Sequence, residues 1–208
     1  GGGRGGVGKS VLAVNLGVYL AQLGRSVLLV DADPAGAELH TMLGVDVPPG
    51  FPSTREESAD DDLTPVPTPV PGLLLLPQLY TPGSTVPIRP GRKPRWARRL
   101  RQLDVDYVLL DLGAGTGPAT LDLFLGADTG LCVTAPEPPS VEATYRFARA
   151  LFQRQIRRTL IKDRFKMRLV ERAQSELPPL PAPQDLVRNI ARYDVGVGEL
   201  AASELAKL

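Results

Sequence analysis

Two rhythms of apolar and polar positions divide the chain. Short unbroken apolar runs at residues 25–31 (with S-V-L-L-V at their heart), 73–76, 107–112 and 130–134 have the length and continuity of strands buried on both faces. Between them the spacing turns helical. Val11, Leu12, Leu16, Tyr19, Leu20 and Leu23 recur at helical intervals until Gly24, a natural helix stop, and shorter helical patterns cover 93–103, which is basic, and 119–125. Strands alternating with helices predict βαβ units, an α/β fold with a parallel sheet flanked by helices and ligands at the C-terminal strand ends. Residues 46–71, rich in Pro and carrying Asp60, Asp61 and Asp62, predict a long irregular connection without chemistry.

From Ser140 the pattern stays helical, over 141 to about 161, 163–177, a P-P-L-P-A-P linker, 184–193 and 197–207. This tail does not continue the βαβ series. It predicts an inserted or accessory helical segment, with 1–139 as the core and 140–208 as helices inserted within the same domain.

Composition bounds the class. The 208 residues, 43% hydrophobic and 23% charged, can bury one substantial core. A net charge of +1 gives no global pull toward nucleic acid or acidic membranes, so such affinity must come from local patches. Cys132 is the single cysteine, which excludes a disulfide framework, and no Cys/His spacing suggests zinc. A reducing cytoplasm is the expected compartment. No apolar run approaches the ~20 residues a bilayer span needs.

Candidate chemistry begins at residues 3–10, G-R-G-G-V-G-K-S, a match to G-x-x-x-x-G-K-[ST] directly ahead of the first helix. Its glycines let the backbone curl so that successive N–H groups wrap phosphates, and the helix N-terminus faces the anion. The expected binding set is Gly3, Gly5, Gly6, Val7, Gly8, Lys9, Ser10 and Val11, with Lys9 reaching the β- and γ-phosphates and Ser10 ligating Mg²⁺. A chance match in a Gly-rich segment is the competing reading, and the helix that follows tells against it. A strand should feed such a loop. The chain instead starts at Gly1 with no Met, so a fragment is expected.

Three carboxylates stand where a phosphate-loop enzyme needs them. Asp111 ends the strand V-L-L-D, the Walker B position, where it can hold Mg²⁺ directly or through water. Asp31 ends another strand and joins Ser10 and Asp111 as a candidate metal ligand, and Asp33, just beyond, is the candidate to position the attacking water. Taken singly, each could merely cap a turn or helix. Phosphoryl transfer rests on positioning and charge, so this set suffices for Mg-ATP hydrolysis without a nucleophilic side chain. D-L-G-A-G, residues 111–115, reads as a switch segment beside the γ-phosphate.

The motifs G-R-G-G-V-G-K-S, V-L-L-V-D-A-D, D-Y-V-L-L-D-L-G-A-G and T-A-P-E-P, in this order over about the first 140 residues, resemble the MinD/ParA family of deviant-Walker-A ATPases. The resemblance implies a P-loop NTPase fold of SIMIBI type, ATP and Mg²⁺ as cofactors, and an ATP-sandwiched homodimer. D-x-G-A-G and T-x-P-E-P look more like the MinD and flagellar-number-regulator side, whereas D-A-D-P-A-G is nearer the partition ATPases. In that family a lysine early in the loop reaches across the dimer to the partner's phosphates. The matching position here is Arg4, which keeps the charge but replaces a compact ammonium with a longer planar fork, and it completes the candidate catalytic set with Lys9 and Asp33.

The resemblance implies a cytoplasmic, partner-stimulated ATPase switch that positions a cellular structure, flagellar or division-related, at the membrane's inner face or on the nucleoid. Two other readings stay open: a partition-type ATPase on non-specific DNA, and a nucleotide-dependent scaffold with little turnover. Delivery of iron–sulfur clusters is disfavoured because one cysteine offers no C-x-x-C. Two basic stretches, 89–101 around Trp96 and 146–172, could serve anionic lipid or DNA, or could be ordinary solvated helix faces. The sole histidine, His40, has no partners at ligand spacing.

Overall fold

Three of the four apolar runs become the parallel strands of one sheet. The computed structural model describes residues 1–33, 38–46, 65–77 and 99–208. Among these, β1 (Val27–Ala32) lies between β3 (Leu73–Leu76) and β4 (Tyr107–Leu112), parallel to both, and β2 (Val66–Pro67) pairs antiparallel with β3, giving the order β2-β3-β1-β4. The expected irregular connection thus ends in a two-residue edge strand, where Pro67 has no N–H for a further neighbour to miss. Residues 47–64, with Asp60 to Asp62, lie outside the described residues, as do 78–98 with most of the first basic stretch.

Continuous apolar strands are needed because both faces of the sheet are covered. Val27, Leu29, Leu73 and Leu75 join Ala21 of α1 (Lys9–Gln22) and Leu39 of α2 (Leu39–Met42) on one face. Leu28, Val30 and Leu76 meet Leu100 on the other. Each such fully buried Val or Leu contributes roughly 1.5–3 kcal/mol. Helix α1 comes close through Gly17, where an added Cβ would stand 3.3 Å from Leu73 Cδ1 and 3.6 Å from Leu109 Cδ1. Register at the far end is set by a reciprocal pair. The Ser26 amide donates to Asp106 Oδ2 at 2.8 Å and the Asp106 amide to Ser26 Oγ at 2.8 Å, and the Ser26 amide and hydroxyl hold the Asp106 carboxyl below its usual range.

The fourth expected strand, 130–134, forms no ladder. The Val133 amide donates to the Gly1 carbonyl at 3.0 Å and the Gly1 amino group to the Leu131 carbonyl at 2.9 Å, without either segment becoming a strand.

By backbone contacts the chain divides into two units, residues 1–114 with 131–134, and residues 115–130 with 135–208. The second is helical: α3 (Pro118–Phe124), α4 (Pro138–Leu160), α5 (Arg164–Ser175), α6 (Pro183–Tyr193) and α7 (Val195–Leu205). Local chemistry sets their starts. α3, α4 and α6 open with Pro in the first turn, where its missing N–H costs nothing, while Asp163 and Asp194 cap α5 and α7 by accepting from the amides of Lys166 (3.1 Å) and Val197 (2.9 Å). Phe152, Ile156, Val170, Ile190 and Val197 form one core cluster, and Phe147, edge-on to Phe124 with centroids 5.1 Å apart, forms another. Gly198 brings α7 against α6, since a Cβ there would meet Ala191 Cβ at 2.6 Å. Arg154 forms a two-point ion pair with Asp122, binding α4 to α3.

Candidate functional site

The loop turns into α1 through two glycines in left-handed conformations, Gly6 (φ 75°) and Gly8 (φ 91°), the second serving as the helix N-cap. A side chain at either would be strained. Open space surrounds Gly5, Gly6 and Gly8, with nothing within 4 Å of a Cβ position, so the loop backbone is approachable. With Gly8 as cap, the first-turn amides of Lys9, Ser10 and Val11 have no acceptor within the helix, which makes this end receptive to anions. Lys9 turns into the loop and donates from Nζ to the Arg4 carbonyl at 3.1 Å. Arg4 itself is exposed, and Gly3 and Val7 are half-buried.

The carboxylates sit at the C-terminal ends of the neighbouring strands β1 and β4. Asp31 and Asp111 are register partners across the β1–β4 pair, each only 4% exposed. Burial pushes the Asp31 carboxyl up to about 7, reinforced by the charges of Asp111 and Asp33 and opposed by amide donors from Leu39 (3.2 Å) and Asp33 (3.3 Å). Burial also raises Asp111, against a hydrogen bond with the Ser10 side chain and the charge of Lys9. Loop and strand ends therefore meet: Ser10 touches Asp111, and Lys9 lies within its electrostatic reach.

Asp33 closes the group through a contact the sequence did not reveal. A Cβ on Gly113 would stand 2.7 Å from Asp33 Oδ1, so only glycine lets that carboxylate lie against the end of β4. Gly113, within the expected switch segment, gives this close approach. The Leu39 amide, which holds Asp31, also lacked any sequence signal. It arrives from α2, after residues 34–37, which lie outside the described residues. The expected site residues Lys9, Ser10, Asp31, Asp33 and Asp111 thus gather in one place. Among the described residues no three His, Cys, Asp or Glu side chains converge tightly enough to cage a metal unaided.

A glycine loop feeding a helix, opposite strand-end aspartates on a parallel sheet, is a constellation shared with a known family. The family model described as ParA, NUBPL iron-transfer P-loop NTPase, matches residues 1–158. The chain belongs to the MinD/ParA family of P-loop ATPases.

Among its relatives, the septum site-determining protein MinD of Bacillus subtilis is 31% identical over 166 residues, 74% of this chain and 58% of that protein. The iron-sulfur cluster carrier protein of the same organism is 32% identical over 145 residues, 65% of this chain and 38% of that protein. The structure of MinD from Pyrococcus horikoshii complexed with Mg-ADP superposes with a TM-score of 0.62 at 28% identity, covering 73% of this chain and 63% of that one. The chain therefore spans 38% to 58% of the length of these curated relatives, and branches with different roles match it about equally well.

Proposed function

We propose that this chain binds Mg-ATP at the loop and hydrolyses it slowly, as a dimeric switch whose nucleotide state controls attachment to a surface and a partner. The observation that carries this reading is the convergence of Lys9, Ser10 and Asp111 with Asp31 and Asp33 at the ends of β1 and β4. The backbone amides of residues 5–11 would hold the phosphates, and Lys9, released from the Arg4 carbonyl, would place its charge on them. Mg²⁺ is commonly held by one or two carboxylates and completes its shell with phosphate and water, so Asp111 and Asp31, with the Ser10 hydroxyl, would be its protein donors.

The bound metal would supply neutralisation of charge on the transferring phosphoryl group. Asp33, beyond the end of β1 and braced against Gly113, is placed to orient water. Arg4, on the exposed part of the loop, would reach a second copy's phosphates. The helical segment is read as an elaboration of the same domain. The Mg-ADP complex of the Pyrococcus MinD supports nucleotide and Mg²⁺ at this place in the fold. A cluster-carrying role gains no support from these residues, which include a single cysteine.

Nucleotide binding and steady-state turnover test the reading. Lys9→Ala should abolish ATP binding, whereas Asp33→Asn should spare binding and lower turnover roughly 10²-fold, the scale of a lost positioning or electrostatic group. Turnover unaffected by Asp33→Asn overturns the role of Asp33. A flat near-zero rate with and without vesicles or duplex DNA favours a scaffold over a switch.

A further inference from the structure

We infer that the turn joining α4 to α5 is a docking surface for anionic lipid membranes. It deepens the surface half of the reading above and rests on that reading only for its biological sense, because it needs no nucleotide. Ile161 and Phe165 flank this turn and are 72% and 74% exposed, the two most exposed large apolar side chains among the described residues. Both belong to a well-built corner: the Asp163 amide donates to the Leu160 carbonyl at 2.9 Å, and Asp163 caps α5. Two large apolar tips held on a fixed backbone at one turn offer area that a partner could cover.

The charge around the tips says what covers them. Residues 157–172 hold seven Lys or Arg against Asp163 and Glu171, in a chain whose net charge is only +1. Two of the seven are committed locally, Lys166 to Asp163 at 3.4 Å and Arg172 over the Tyr193 ring at 5.2 Å, and Arg158 is half-buried, with one guanidinium nitrogen out of reach of solvent. Arg157, Lys162, Arg164 and Arg168 are exposed and make no ion pair among the described residues. On α5, Phe165 and Arg168 stand three residues apart and share a face. The opposite face, with Val170 and Ala173, is buried in the helical core.

Exposed cations in and beside the turn that carries two exposed apolar side chains fit a bilayer interface, where phosphate headgroups meet the charges and the acyl boundary takes Phe and Ile. Duplex DNA would satisfy the cations and leave Ile161 and Phe165 in water, so the exposed apolar pair decides for lipid. The attachment is superficial, since no helix among the described residues is long and apolar enough to cross a membrane.

The test is flotation of the 208-residue chain, without nucleotide, with phosphatidylcholine vesicles containing or lacking phosphatidylglycerol. The chain should float with the anionic vesicles only, and high salt should release it. I161S/F165S should lose roughly tenfold or more in partitioning, as should K162E/R164E, each reversal removing attraction of about the same order. Circular dichroism of both variants should match wild type, because the altered side chains are exposed. Should I161S/F165S lose helicity, Phe165→Trp replaces it as the probe, with a blue-shifted emission on anionic vesicles beyond that of the wild-type chain. Undiminished flotation of I161S/F165S overturns the inference, as does a Phe165→Trp emission that vesicles leave unshifted. So does retention on duplex DNA that needs Lys162 and Arg164 while vesicles leave the chain unbound. ATP binding is read separately, so its failure overturns the nucleotide reading and leaves this one intact.

Discussion

Replacing Asp31 by Asn isolates the electrostatic cost of the nucleotide site. The carboxyl is buried beside Asp111, and burial lifts its pKa from 3.8 to about 7. The folded value lies above the unfolded one, so the stability tied to this group is fully present below about pH 4 and is lost progressively as pH rises to 7. The span from 3.8 to about 7 corresponds to roughly 4 kcal/mol at 1.36 kcal/mol per pKa unit, an upper figure because water and side chains relax round the charge. Asn keeps one acceptor oxygen where Asp31 uses two, for the amides of Leu39 and Asp33, and losing one such bond costs about 1 kcal/mol. Asp31→Asn should therefore stabilise the nucleotide-free, Mg²⁺-free chain by about 2–3 kcal/mol at pH 7.5 and by less than about 1 kcal/mol at pH 5. Urea unfolding followed by circular dichroism across this range measures the difference. A gap that does not grow with pH, or a variant less stable than wild type at pH 7.5, refutes the reasoning. Asp111, also raised by burial, leaves a smaller pH dependence of the same sign in the variant.

Arg4→Ala should reduce ATP-dependent dimerisation, read by light scattering, and turnover, while sparing most ATP binding; unchanged turnover removes the cross-dimer role. Gly17→Leu should lower stability by about 1–3 kcal/mol or more in urea titration, because even a Cβ there is 3.3 Å from Leu73 Cδ1. Phe147→Ala, deleting a fully buried ring stacked edge-on against Phe124, should cost about 3–5 kcal/mol by the same measurement. Gly113→Ala should lower turnover more than ATP binding, because the new methyl would displace the Asp33 carboxylate from β4.

The sheet was legible where burial on both faces leaves one solution. V-L-L-V became β1, buried on both faces between two neighbours, and V-L-L-D-L became β4, parallel to it at the end of the described sheet. The same rule failed at 130–134, where the apolar run is largely exposed and its hydrogen bonds with Gly1 build no strand ladder. Helix starts were blurred by a few residues: Pro138 opens α4 ahead of the apolar pattern at Val141, and Asp194 caps α7 ahead of Val197. Within the site, residue types named the loop and the strand-end acids. Contacts at a distance in sequence, Gly113 under Asp33 and the Leu39 amide on Asp31, carry no local pattern and appear only once the strands are side by side.

That juxtaposition also bears on why the acids are there. Two carboxylates, register partners on adjacent strands and almost sealed from water, raise each other's cost of ionisation, and an apolar pair of similar volume would pack there without it. Turn capping explains part of Asp31, which receives two amides, but Asp111 receives a hydroxyl from the very loop that its sequence position pairs it with. A structural role would be met by neutral acceptors at each place and gains nothing from setting the charges side by side. A site that must attract a divalent cation gains from that arrangement, because repulsion between the acids in its absence becomes attraction in its presence. The energetic penalty read from Asp31 and the ligand role proposed for it are therefore two sides of one electrostatic arrangement, and Asp31→Asn should relieve the first only by forfeiting the second.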